Sequence, residues 1–129
     1  MNPFDIKKAK LFLLEKEQKR NEALEKKYCE ATNDFDRIVD HIIKHYKPAK
    51  IYQWGSLLNK NNFSEISDID IAIEGIVSVE ELFKIYGDIM DMSDFPIDIV
   101  QMEKIEPEFA ELIREKGKVI YERTNKYPY

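Results

Sequence analysis

The stretch SDIDIAIEG, Ser67 to Gly75, decides how the chain folds. Isoleucines at 69, 71 and 73 alternate with other residues, and Ile66 stands just upstream, so the segment from Ser67 to Glu74 reads as a buried strand closed by Gly75. Successive strand side chains point to opposite faces, so Asp68 and Asp70 share one face and Ile69 and Ile71 the other. The apolar face belongs to a core, which turns the two acids toward a cleft. Neighbouring carboxylates repel each other unless a cation or a proton lies between them, and hard oxygen donors of this kind suit Mg²⁺ or Mn²⁺.

Working outward, KIYQW (50–54) has strand composition and is ended by the turn Gly55-Ser56. Downstream, Ser78 to about Met92 has helical spacing through Val79, Leu82, Phe83, Ile85, Tyr86 and Ile89. Pro96 introduces a third strand, IDIVQM (97–102). Pro107 opens a helix carrying Phe109, Leu112 and Ile113, Gly117 stops it, and KVIYE (118–122) is a fourth strand. Strands separated by helices define an α/β (α+β) architecture, about four strands with helices packed on them. TNKYPY (124–129) reads as a loose tail.

Upstream, Asp5 to Tyr46 holds neither Gly nor Pro, which predicts one long helix or two, with a break at Thr32-Asn33-Asp34, where polar side chains compete for backbone hydrogen bonds. Phe35, Ile38, Val39, Ile42 and Ile43 face a core, whereas Glu15 to Glu22 are wholly polar. The expected division is therefore an N-terminal helical extension, 1–33, and a domain, 34–129. The Leu11 to Leu14 cluster needs cover, from a partner, from a second copy in helix pairing, or from the domain's own sheet.

The composition narrows the function. At 129 residues the chain is the size of one domain, and its formal net charge of −5 argues against long nucleic acid as a partner. A single cysteine, Cys29, forms no intramolecular disulfide and is expected to be a buried thiol. No apolar run is long enough for a membrane span and MNPFDIKKAK lacks the apolar core of a signal peptide, so the expected location is cytoplasmic. His41 and His45 stand one helical turn apart without the Glu of a zinc-protease motif and are expected to be ordinary helix residues.

Asp98 places a third acid in an otherwise apolar strand, FPIDIV. Three strand aspartates could hold two metal ions for phosphoryl chemistry, with Asp98 able to accept the proton of an attacking hydroxyl. Gly55-Ser56 offers backbone N–H groups and a hydroxyl to the β- and γ-phosphates of a nucleotide. No P-loop or Rossmann glycine pattern occurs in the chain.

With Gly55-Ser56, Asp68-Ile69-Asp70 and Asp98 in this order, and PEFAELIREKGKVIYER (107–123) closing the chain, the sequence resembles the minimal nucleotidyltransferase family of the DNA polymerase β superfamily over roughly residues 36–123. The resemblance implies a small mixed sheet with flanking helices and transfer of a nucleoside monophosphate, often AMP from ATP, onto a hydroxyl. It assigns catalysis and metal binding to Asp68, Asp70 and Asp98, and phosphate binding to Gly55 and Ser56, with Lys60 and Ser67 as further nucleotide-binding candidates. It also implies a helical HEPN-domain partner, or another substrate-binding subunit, some members being antitoxins that adenylylate that partner. Eleven residues separate Ser56 from Asp68, one more than is usual there, and Leu57-Leu58-Asn59-Lys60 replaces the basic and glycine positions that usually follow Gly-Ser. The alternatives are a noncatalytic antitoxin with a vestigial site and a subunit acting on a small molecule such as an aminoglycoside.

Overall fold

The computed structural model describes residues 3–64 and 67–124, so Ile66 and residues 125–129 of the tail lie outside the described residues. Helix α1 (Pro3–Tyr46) is followed by strand β1 (Lys50–Trp54), two 3₁₀ turns (Ser56–Leu58 and Lys60–Asn62) and strand β2 (Ile69–Glu74). Helix α2 (Val79–Ile89), strand β3 (Ile97–Gln101), helix α3 (Pro107–Lys116) and strand β4 (Lys118–Glu122) complete the order. The four strands form one mixed sheet, β3-β2-β1-β4, with β1 antiparallel to β2 and β4, and β2 parallel to β3.

Strand alternation sorts the core into two layers. Ile51, Ile69, Ile71, Ile73 and Ile99 point to one face, where they bury against Ala31, Phe35, Ile38, Val39 and Ile42 of α1 and Ile85 and Ile89 of α2. Tyr52, Ala72 and Met102 point to the other face and meet Ala110 and Ile113 of α3. Ser78 caps α2 by accepting from the Glu81 N–H at 3.2 Å, and Pro107 begins α3.

Several expectations are corrected. α1 runs through Thr32-Asn33-Asp34 without a break. Ala31, Phe35 and Ile38 bury on one helical stripe that spans the polar triplet. The polar side chains that would have capped a break are engaged elsewhere: Thr32 Oγ1 donates to Tyr28 O at 2.9 Å, and Asp34 accepts from Arg37 and from Ser93. The helix ends after Tyr46, as Lys47-Pro48 in the sequence implies: Lys47 takes the left-handed conformation (φ 50°) ahead of Pro48. Cys29 is exposed, because it lies off the stripe of Tyr28 and Ala31. Val79 and Phe83 face outward from α2, as does Leu112 from α3. Gly117 caps α3 with an extended backbone (φ −78°), so a left-handed cap is not the reason for glycine; a Cβ there would lie 2.5 Å from Ile113 O.

Residues 5–23 of α1 are all exposed, so this part of the helix does not fold back onto the domain's own sheet. With 44 residues α1 is about 66 Å long, and only its second half packs on the sheet. His41 and Tyr46 hold α1 to α2 through Asp88, with His41 Nε2 2.9 Å from Asp88 Oδ2 and the Tyr46 hydroxyl donating to the same oxygen at 2.6 Å.

Candidate functional site

Strand pairing brings the acids together. The parallel β2–β3 register sets Asp70 beside Asp98, and the antiparallel β1–β2 register sets Trp54 on the other side of Asp70. All three share the face that carries α3. Asp68 lies just before β2 and is exposed, as is Asp98, whereas Asp70 is half-buried. Burial in this position, with the charges of Asp98 and then Asp68 beside it, pushes the Asp70 carboxyl up to about 6.

Gly55 is built into this arrangement. It ends β1 with φ 85° and ψ −163°, a combination nearly confined to glycine. A Cβ at this position would fall on Asp70 Oδ2 and lie 3.0 Å from Asp70 Cγ. The Gly55 backbone therefore abuts the Asp70 carboxylate directly, and Ser56 opens the first 3₁₀ turn from that point. Gly55→Ala is expected to cost about 2–4 kcal/mol, since backbone strain at positive φ adds to overpacking against the Asp70 side chain. Urea unfolding checks this, and an unchanged midpoint would show that the turn relaxes freely.

The remaining candidates are placed differently. Lys60 Nζ pairs with the Glu25 carboxylate, which holds the ammonium above and the carboxyl below their ordinary values, and so turns the charge toward α1. The cleft that Lys60 lines, about 310 Å³, is shared with Leu24, Glu25, Tyr28 and Phe63 and contains none of the three aspartates. Ser67 is buried; its Oγ accepts from the Ser64 N–H at 2.8 Å and its N–H donates to Ser64 O at 3.1 Å, so it closes the loop that delivers Asp68.

One neighbour was not visible from the sequence. Trp54 meets Phe109 of α3 edge-on, ring centres 5.2 Å apart, and its buried indole N–H has no partner among the described residues. The sequence showed Trp54 next to Gly55 but not that β1 pairs antiparallel with β2, which is what sets Trp54 level with Asp70.

Chemically, the site is an acidic edge. Among the described residues no three His, Cys, Asp or Glu side chains are already arranged to hold a metal ion. The donor set nevertheless fits a hard divalent cation. Asp70 and Asp98 are level on adjacent strands, and the burial and neighbouring negative charge that together raise Asp70 are what a cation would offset. Among the described residues no helix is long and apolar enough to cross a membrane.

Comparison with known proteins bears on the fold. A crystal structure of the toxin–antitoxin MntA–HepT superposes with a TM-score of 0.55 at 17% identity, covering 71% of this chain and 73% of that one. A toxin–antitoxin crystal structure with AMP-PNP gives 0.56 at 17% identity, covering 68% and 73%. At this identity the likeness is one of fold. No curated protein matches. The family described as "Polymerase beta, Nucleotidyltransferase" matches residues 36–126, which takes in every strand, the Gly55-Ser56 turn and all three aspartates. The chain belongs to the polymerase β nucleotidyltransferase family.

Proposed function

We propose that this chain is a Mg²⁺-dependent adenylyltransferase that moves AMP from ATP onto a hydroxyl of a partner protein, a helical HEPN-type chain, in the manner of an antitoxin. The observation that carries the reading is the placement of Asp70 level with Asp98 on adjacent strands and against the Gly55 turn. The AMP-PNP complex of a similarly folded toxin–antitoxin supports the nucleotide, and the MntA–HepT structures support the partner.

In this reading the Gly55-Ser56 turn holds the β- and γ-phosphates, and the positive-φ backbone of Gly55, which abuts Asp70, sets the α-phosphate beside the acids. Asp68, Asp70 and Asp98 would hold Mg²⁺, which when bound neutralises charge on the phosphates. The acceptor oxygen attacks the α-phosphorus, its proton passes to an Asp98 carboxylate oxygen, and the bond to the β-phosphate oxygen breaks to release pyrophosphate. Residues 34–129 carry this chemistry, in the cytoplasm where ATP is supplied; of residues 1–33, Leu24, Tyr28 and Ala31 pack on that domain, and the exposed residues 5–23 are left to contacts with other chains.

The test is calorimetric titration with AMP-PNP and Mg²⁺, on the wild type and on Asp68→Asn/Asp70→Asn. Metal-dependent binding in the wild type and its loss in the double variant are expected. A folded wild type that binds no nucleotide, alone or with its partner, would sink the proposal.

A second reading, a noncatalytic antitoxin, is favoured by one observation. The cation expected to help hold the triphosphate, Lys60, is engaged by Glu25. Neutralisation of the partner that survives Asp70→Asn would select it.

A further inference from the structure

The exposed first half of α1 carries a surface that the proposed chemistry does not use. Ile6, Ala9, Lys10, Leu13, Leu14 and Glu17 line a shallow apolar groove of about 430 Å³ along one side of the helix. Leu13 is 63% exposed and Leu14 53%. The groove prolongs the stripe that, further along the same helix, buries Phe35, Ile38 and Ile42 against the sheet. An apolar stripe on a projecting helix is what a second helix covers.

The charges in the groove identify that helix. Lys10 precedes the Leu13–Leu14 midpoint by as many residues as Glu17 follows it. Neither residue takes part in an ion pair among the described residues. The groove is thus complementary to itself when reversed. Two antiparallel copies about a two-fold axis would set Leu13 against Leu14 twice and Lys10 against Glu17 twice, whereas parallel copies would set lysine on lysine and glutamate on glutamate.

We infer that two copies of this chain pair antiparallel through residues 6–17 of α1, with the leucines at the centre and a Lys10–Glu17 pair at each end. The contact is smaller than the interfaces of permanent dimers, so the dimer is a reversible one. Leu11 and Phe12 project from the opposite side of the helix and stay outside it. The inference is independent of nucleotide chemistry.

Sedimentation equilibrium of the full chain over a wide concentration range, without nucleotide, tests it. The wild type is expected to be a concentration-dependent dimer, and Leu13→Asp a monomer of unchanged circular dichroism. Lys10→Glu and Glu17→Lys, made singly, each create like-charge pairs at both ends and raise the dimer Kd about tenfold. An equimolar mixture of these two variants places an all-acidic groove on an all-basic one and restores dimers. A wild type that stays monomeric, dimers indifferent to Leu13→Asp, or a mixture no tighter than the single variants would overturn the inference. All substituted side chains are exposed, so the variants retain the fold.

Discussion

Asp70→Asn is expected to abolish nucleotidyl transfer and, at neutral pH, to make the metal-free protein more stable. Loss of transfer by about 10²–10³-fold or more is the scale on which removing a preorganised charge-stabilising group acts. The stabilising half follows from electrostatics. In the folded chain Asp70 is half desolvated beside Asp98 and Asp68, and its carboxyl titrates near 6. The folded state therefore holds this proton more tightly than the unfolded state, whose carboxyl titrates near its ordinary value of about 3.9. Between those two values the native chain binds more protons, so stability falls as pH rises through the window. The cost is absent below about pH 4 and complete above about pH 6.

Asparagine removes the charge and with it the cost. With allowance for solvent screening of a half-exposed group, the gain at pH 7 is on the order of 1 kcal/mol, and it vanishes at pH 4. Urea unfolding of both proteins across pH 4 to 7.5, with a chelator present, measures it. Parallel stability profiles would show that neither burial nor the neighbouring acids burden the Asp70 charge in solution, and retained transfer would remove Asp70 from the chemistry. Lost activity with gained stability is the pattern of a site held under charge strain for a cation to relieve.

Phe35→Ala is expected to cost about 3–5 kcal/mol, a large share of the stability of a domain of this size. Phe35 is fully buried between α1 and the isoleucines of the sheet, so truncation leaves a cavity and removes the anchor of the helix. Leu13→Ala, in the same helix, is expected to change the stability of the monomer by no more than about 0.5 kcal/mol, because Leu13 lies at the surface. Chemical denaturation at a protein concentration low enough to exclude self-association compares them. Equal costs would mean that the first half of α1 packs on the domain after all.

The contrast also shows where sequence reading stopped. Phe35, Ile38, Val39 and Ile42 were legible as a core face because a 3.6-residue period needs no partner to be recognised. The expected break at Thr32-Asn33-Asp34 failed because local polar preferences were outweighed by the buried stripe on either side. Cys29 failed for a related reason: burial in a helix is set by angular position, and residue type is a weak guide to it. Val79 and Phe83 had the spacing of an apolar face, but the face of α2 that meets the sheet is narrower, with Ile85 and Ile89 buried and Leu82 and Tyr86 packed partly buried beside them.

Period-two alternation in SDIDIAIEG by itself determined that Asp70 lies on the face opposite the isoleucines, although Asp68 falls just before the strand and outside that alternation, and the order of turn, acids and later acid indicated the family. Which face Asp98 would take, and what would stand beside Asp70, depended on strand order and register. These follow from long-range pairing of β1 with β2 and of β2 with β3, which leaves no trace in the local pattern. The same holds for Lys60. Its charge was evident, but its partner Glu25 is separated from it by half of α1 and all of β1, and only the packing of the loop against that helix joins them. Alternation within a strand is local chemistry and can be read from residues, whereas adjacency between strands arises when distant apolar faces are buried together, and only the tertiary structure decides it.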